Sequence, residues 1–241
     1  VVGAIKMNPT TSIVMTAYNR GKLVGATLDS IFCQKYDFEV IVVEDGNDGE
    51  TEYICKNYPV RYVCRRKRPD TTAFCNPSIP NNIGIKMALG KVLIIQNAEN
   101  KHITADSIKR LSEAILANND VSVFASVLAL DKDGKPEQWY CHPIHNPRPL
   151  FFCQAVDRDL AWSIRGFDED YKFYGYDDDD FSLRLSRIGV RFIFRDDILL
   201  HHQWHPTAPR DDRLTQINAN LYMQKLNENP VRNLGREWGQ L

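Results

Sequence analysis

No apolar run in this sequence approaches the length needed to cross a bilayer; the longest, around residues 92–95 and 121–130, are strand-sized. Nor is there an excess of charge of one sign. Thirty Lys and Arg stand against 31 Asp and Glu, a formal net charge of −1. Broad electrostatic binding to nucleic acid needs an array of phosphate-neutralising cations and is not expected. The six cysteines are scattered without a C-x-x-C pair, which argues against a zinc knuckle or a redox motif. Isolated cysteines in apolar surroundings read as small core residues and favour a reducing, cytoplasmic setting, with peripheral contact to a membrane left open. The opening residues lack the basic-then-apolar pattern of a signal peptide. There is no internal repeat, low-complexity tract or flexible linker.

The first half alternates between two periods. Residues 12–16, 38–43, 60–64, 91–96 and 121–130 read as buried strands. Helical spacing appears at Leu23, Thr27, Leu28, Ile31 and Phe32, over residues 82–89, and at Ile103, Ile108, Leu111 and Ile115. Strands separated by helix-sized segments predict an α/β fold with a mostly parallel central sheet flanked by helices. Its strand carboxyl ends then share one edge, where open sheets of this kind bind ligands.

After Asp131, Gly and Pro punctuate an irregular stretch in which a long loop or a hairpin is expected. A helix over 177–188, a strand over 190–194 and an amphipathic helix over 213–226, with Leu214, Ile217 and Leu221 on one stripe, complete the reading. The end beyond Pro230 is expected to fray. One domain over 1–241 is the simplest organisation, in three stretches: a regular half at about 11–100, a less regular half at about 101–206, and a helical extension at about 207–241.

Chemistry gathers at the predicted strand ends. T-S-I-V-M-T-A-Y-N-R, residues 11–20, is a strand entering a polar turn, whose amides and Tyr18 can meet a nucleotide or merely turn the chain. V-V-E-D-G, residues 42–46, delivers Glu44 and Asp45, and a carboxylate there can accept a base N–H or a ribose hydroxyl, or cap a helix. V-L-I-I-Q-N-A-E-N, residues 92–100, delivers Asn97 and Glu99 at i and i+2, a spacing that lets both approach one cation. The run Arg61, Arg65, Arg66, Lys67, Arg68 is a solvated loop by default, but Arg66 or Arg68 can reach a diphosphate. In the 177–188 helix, Asp178 falls on the stripe of Phe181, Leu185 and Ile188. Asp180 and Arg184 are expected to pair on the polar face. An inward carboxylate needs a metal, a basic group or a substrate hydroxyl. H-H-Q-W-H-P, residues 201–206, offers imidazoles for a metal or for packing, and Trp204 and Trp162 offer flat faces to a sugar or to the core.

Taken in order across residues 11–206, these segments resemble glycosyltransferase family 2 and its GT-A-fold relatives. T-A-Y-N-R, F-E-V-I-V-V-E-D-G, N-I-G-I-K-M-A-L-G-K-V-L-I-I-Q-N-A-E, G-F-D-E-D-Y-K-F-Y-G-Y-D-D-D-D-F-S-L-R-L and H-H-Q-W-H-P carry the likeness. The resemblance implies transfer of a sugar from a nucleoside-diphosphate donor, with UDP expected, to an acceptor hydroxyl with inversion. Thr16, Ala17, Tyr18, Arg20, Asp45, Arg66, Asn82 and Asn97 would serve the donor. Glu99 and His202 would hold Mn2+ or Mg2+, and Asp178 would be the catalytic base. Trp162, Gly166, Phe167, Asp177, Trp204 and His205 would face a saccharide or other hydroxyl-bearing acceptor. Asn97 stands where the family's metal motif has Asp, and Asp177 where Glu is usual. A nucleotide-sugar- or glycan-binding module that has lost catalysis is the competing class, favoured by Asn97; a nucleotidyltransferase leaves the G-F-D-E-D, D-D-D-D and H-Q-W-H segments without a joint role.

Overall fold

The computed structural model describes residues 9–46, 49–65, 76–206 and 211–241. Residues 11–100 follow the predicted rhythm closely. Strand β1 (Thr11–Ala17) leads into α1 (Gly21–Phe32), β2 (Phe38–Glu44), α2 (Glu50–Cys55), β3 (Val60–Cys64), α3 (Ser78–Met87) and β4 (Val92–Asn97). These strands lie parallel in the order β3-β2-β1-β4. A two-residue turn then gives β5 (Asn100–His102), followed by α4 (Ser107–Ala117) and β6 (Val121–Leu130).

The irregular stretch contains the expected hairpin, in which β7 (Pro136–Cys141) returns antiparallel along β6. It also holds two elements the periodicity does not mark, β8 (Cys153–Asp157) and α5 (Arg158–Ser163). Strand β8 is wedged antiparallel between β4 and β6. Its five residues are all buried, including Gln154, whose amide reaches Ser122 Oγ. Polar residues satisfied inside a sheet hide a strand from any apolar pattern. Helix α6 (Asp177–Arg187), β9 (Arg191–His202) and α7 (Asp212–Lys225) follow. Strand β9 runs parallel to β6 and closes antiparallel on β5 at its far end.

Alternation along the parallel strands feeds two packed layers. Ile13, Met15, Val40, Val42, Val92 and Ile94 meet α1 and α4 on one face. Val14, Ile41, Val43, Leu93 and Ile95 meet α3 and α6 on the other. The second layer is thin where α3 crosses β1: a Cβ on Gly84 would stand 2.2 Å from Val14 Cγ1. That contact requires glycine.

Two expectations for the C-terminal part are corrected. Ile217 is 51% exposed, and α7 docks through buried Asn218, whose amide donates to the carbonyls of Phe173 (2.7 Å) and Gly175 (2.9 Å). The chain beyond Pro230 does not fray but folds back, placing Trp238 in the second apolar layer. Among the described residues no helix is long and apolar enough to cross a membrane.

Candidate active site

The central strand β1 ends between two chemically active neighbours. Parallel pairing aligns Ala17 with Glu44 and Thr16 with Asn97, so Asp45 and Asn97–Ala98 flank the end of β1. Two strand spacings set these flanks about 10 Å apart. The backbone fixes both sides, since Asp45 N donates to Ala17 O (2.8 Å) and Ala98 N to Thr16 O (3.1 Å). Ala17 itself is buried, with its carbonyl already bonded, so the expected donor contact narrows here to the chain around Thr16 and Tyr18. Asn19 adopts φ 53°, a left-handed turn that Asn tolerates. Glu44 accepts from the N–H groups of Asn19 and Gly46 and so holds the two turns together.

Asp45 is buried and paired with Arg65 (Nη1 to Oδ1, 2.9 Å). The sequence carries a signal for this pair: β3 runs parallel to β2 with Glu44 opposite Cys64, so the next residue on each strand faces across. Arg66, the expected diphosphate contact, lies outside the described residues.

Glu99 occupies the turn between β4 and β5. Because β5 pairs with the end of β9, Asn100 stands opposite His202 and brings Glu99 to the imidazole. Gln203, which the motif reading left without a role, clamps this corner. Its backbone N–H donates to Glu99 O (3.0 Å), and its side-chain amide reaches Glu99 O (3.1 Å) and Thr27 Oγ1 (3.0 Å). Thr27 in turn donates to Ala98 O (2.7 Å).

The chain then turns at the exposed Trp204 and returns His205 to the same carboxylate, with Nε2 3.5 Å from Glu99 Oε1. His205, expected on the acceptor side, thus stands with Glu99 and His202. One potential ligand atom from each lies within 4.8 Å of the other two. Burial pushes His202 down to about 4, against the pull of Glu99, so its ring is neutral near pH 7, the form that ligates metals. Tyr140 and Phe152 pack edge-on against it at 4.9 and 5.7 Å. Two imidazoles and one carboxylate fit a first-row divalent ion such as Mn2+ better than Mg2+, which prefers oxygen ligands. Arg20 Nε also donates to Glu99 Oε1.

Asp178 is linked to this corner through two adjacent residues. Phe152 O accepts from Asn97 N (3.4 Å) and from the Asn100 side chain, while the Phe151 N–H donates to Asp178. Burial and neighbouring Asp177 raise the Asp178 carboxyl well above its ordinary range, with the Phe151 N–H and Arg148 acting in the opposite direction. Asp177 is raised too, first by burial, and is hydrogen-bonded to Asn76.

The expected face of α6 is rotated. Asp177, Asp180, Phe181, Arg184 and Leu185 are buried, Asp178 sits half-buried at the margin, and Ile188 is 37% exposed. The Asp180–Arg184 pair forms at 2.7 Å, but in the interior rather than on a polar face.

Three residues expected to meet substrate, Phe167, Gly166 and Asn82, are committed to interior packing, while Trp162 stays 41% exposed. Phe167 has no exposed surface and stacks on Phe181 with ring centroids 4.2 Å apart. Gly166 turns the chain at φ 67°, where a Cβ would meet Asn82 Oδ1 at 2.2 Å and the Trp238 ring at 2.7 Å. Asn82 is fully buried: its Oδ1 accepts from Phe167 N (2.7 Å), and its amide donates to Phe167 O (2.9 Å) and Glu169 Oε1 (2.8 Å). Trp162 packs on Trp238 (5.3 Å), which Lys86 covers near the entry end of β4, away from the edge where Asn97 emerges.

Asn82→Ala should therefore destabilise the fold by about 1–3 kcal/mol, because Phe167 N–H loses its partner in the interior. Denaturant unfolding measures this. Native stability combined with weakened nucleotide binding would restore Asn82 as a donor contact.

The profile of glycosyl transferase family 2 matches residues 12–179. The chondroitin synthase of Escherichia coli is 25% identical over 272 aligned residues, covering 89% of this chain and 38% of that protein. The chain spans less than half the length of the curated relatives it matches. A mannosyltransferase from Pyrobaculum calidifontis, solved with GDP-Man and Mn2+, superposes with a TM-score of 0.62 at 18% identity, over 92% of this chain and 64% of that one. S. aureus TarS 1–349, solved with UDP-GlcNAc, gives 0.64 at 14% identity, over 90% and 67%. These two likenesses concern the fold, which is of the GT-A type. With the profile spanning most of the chain, this protein belongs to glycosyl transferase family 2.

Proposed function

We propose that this protein transfers a sugar from a UDP-sugar to a saccharide hydroxyl, with inversion at the anomeric carbon and with the help of Mn2+. The observation that carries the reading is the meeting of Glu99, His202 and His205 at the β4–β5 corner, two hydrogen-bonded residues away from Asp178. Asp45, oriented by Arg65 at the neighbouring strand end, presents a carboxylate suited to the ring N–H of uracil. UDP-GlcNAc in one structural neighbour supports this donor, against the GDP-Man of the other, and the chondroitin synthase among the relatives supports a sugar acceptor.

Glu99, His202 and His205 would hold the cation, which when bound offsets the charge developing on the departing diphosphate. Asp178 accepts the proton of the acceptor hydroxyl as its oxygen attacks. The raised pKa strengthens it as a base, and the Phe151 N–H keeps the carboxylate aimed. Asp177, beside it and braced by Asn76, holds the acceptor. Trp204, exposed between the two histidines, offers a flat face to the sugar. Direct displacement requires the base and the leaving group to be held in line, and the Phe151–Phe152 turn, bonded to Asn97, Asn100 and Asp178, ties the two sides together.

Product analysis against a panel of nucleotide sugars, with donor hydrolysis as background and the anomeric configuration read by NMR, tests the assignment. A retained configuration, or turnover of GDP-sugars alone, would overturn it. Rigorous chelation should abolish transfer, and Mn2+ should restore it more fully than Mg2+, because two of the three ligands are imidazoles. Undiminished transfer by metal-free protein would remove the cation from the reaction.

A further inference from the structure

Two groups converge on a single carboxylate oxygen at the β4–β5 corner. Arg20 Nε donates to Glu99 Oε1, and His205 Nε2 lies 3.5 Å from the same atom. The guanidinium is not merely passing. Its Nη1 is steadied by the carbonyl of Tyr18 (3.1 Å), and the Arg20 and Glu99 side chains are 22% and 11% exposed. Arg20 begins α1 without capping it through its side chain, so this placement serves the corner rather than the helix.

The charge balance follows. Glu99 is the one carboxylate of the Glu99–His202–His205 group, its neighbour at position 97 is the neutral Asn97, and Arg20 already compensates it. A dication brought to this oxygen alone meets a guanidinium at contact distance in a partly desolvated corner, where like charges repel far more than in water. A nucleoside diphosphate reverses that balance by bringing negative charge of its own. Its oxygens also match the planar fork of an arginine better than a single carboxylate oxygen does.

Building on the nucleotide-sugar reading above, we infer that Arg20 is an exchangeable counter-ion. It holds Glu99 until a nucleoside diphosphate arrives and then pairs with the phosphates, so that the cation is taken up with the nucleotide and not ahead of it. Glu99 thereby avoids standing uncompensated in the empty site, and the site discriminates against free divalent ions. No bond is made or broken in the exchange; one ion pair replaces another.

The probes are Mn2+ alone and Mn2+ with UDP, followed by the loss of the free-Mn2+ EPR signal on wild type, Arg20→Gln and Arg20→Lys, each checked for a native melting transition. Wild type should bind Mn2+ weakly alone and at least about tenfold more tightly with saturating UDP. Arg20→Gln should bind Mn2+ alone at least about tenfold more tightly than wild type and gain less from UDP, while Arg20→Lys, which keeps the charge, stays weak for Mn2+ alone. If the Gln variant is unstable, Arg20→Met makes the same comparison. Wild type that couples Mn2+ to UDP, beside a charge-removing variant no tighter for Mn2+ alone, overturns the exchange and leaves the donor reading standing. Absence of Mn2+–UDP binding in wild type overturns both. Intact coupling without sugar transfer to any acceptor overturns only the enzymatic reading.

Discussion

Asp178→Asn is expected to yield a folded protein that binds nucleotide sugar normally and transfers it at least about 100-fold more slowly. The substitution keeps the size of the side chain and its capacity to accept from the Phe151 N–H, and removes only the basic carboxylate. Stability separates this role from a structural one. Burial and Asp177 raise the pKa of Asp178, so the fold favours its protonated form. A carboxyl raised in this way contributes stability below its unfolded pKa, and that contribution disappears as pH rises through the folded pKa. At neutral pH the wild type therefore carries a penalty that Asn does not, and the variant should melt no lower than wild type. Transfer should also fall on the acid side as the Asp177–Asp178 pair gains a proton, a titration that belongs to the two carboxyls jointly. Single-turnover rates at saturating donor and acceptor, donor affinity and thermal melts provide the comparison. Near-native transfer by Asp178→Asn would dismiss the assigned base.

Arg184→Met is expected to destabilise the protein by about 3–5 kcal/mol, the scale for breaking a buried ion pair, since only the more distant Arg232 (3.7 Å) then faces Asp180. Arg184 has no exposed surface. It pairs with Asp180 and donates through Nη1 to the carbonyls of Gly166 (2.8 Å), Ile164 (3.2 Å) and Pro230 (3.4 Å). One side chain thus joins α6, the turn at Gly166 and the returning C-terminal segment. Lys225 and Arg232 extend the network by meeting buried Asp168 at 2.6 and 3.3 Å. Arg187→Met provides the contrast. That exposed residue donates to Glu228 O, and its loss should stay within about 0.5 kcal/mol. Adding Asp180→Leu to Arg184→Met should recover part of the loss, since no charge is then stranded. Denaturant midpoints decide, and equal midpoints for Arg184→Met and Arg187→Met would refute the interior role.

The first four strands were legible because they are continuous apolar runs, and only burial on both faces requires such runs. The turn residues Asp45 and Glu99 were legible for a related reason: each follows a run directly, so strand geometry delivers it to the edge. What escaped was burial bought with polar groups. Gln154 inside β8, Asn218 inside α7 and the Asp180–Arg184 pair inside α6 all look like surface in a hydropathy pattern, because their partners come from distant segments. The same blindness turned the α6 stripe toward Ile188, whereas Asn82 and Phe167 were given to the substrates by the family resemblance. His205 was named in the correct motif, but its company with Glu99 depends on the turn at Trp204, which no spacing rule encodes.

The antiparallel closure of β5 on β9 also has a meaning in time. Gln203 and Glu99, which it joins, are 104 positions apart in the chain. The parallel block of β1 to β4 can form from nearby segments, whereas this closure must await β9, and non-local pairings carry a loop-closure cost that delays them. A nascent chain that has emerged only as far as α4 thus has its nucleotide-side strands but not the imidazoles of His202 and His205. The three-residue group at the β4–β5 corner is thus completed only by the last strand to pair, and its assembly reports that the sheet has closed.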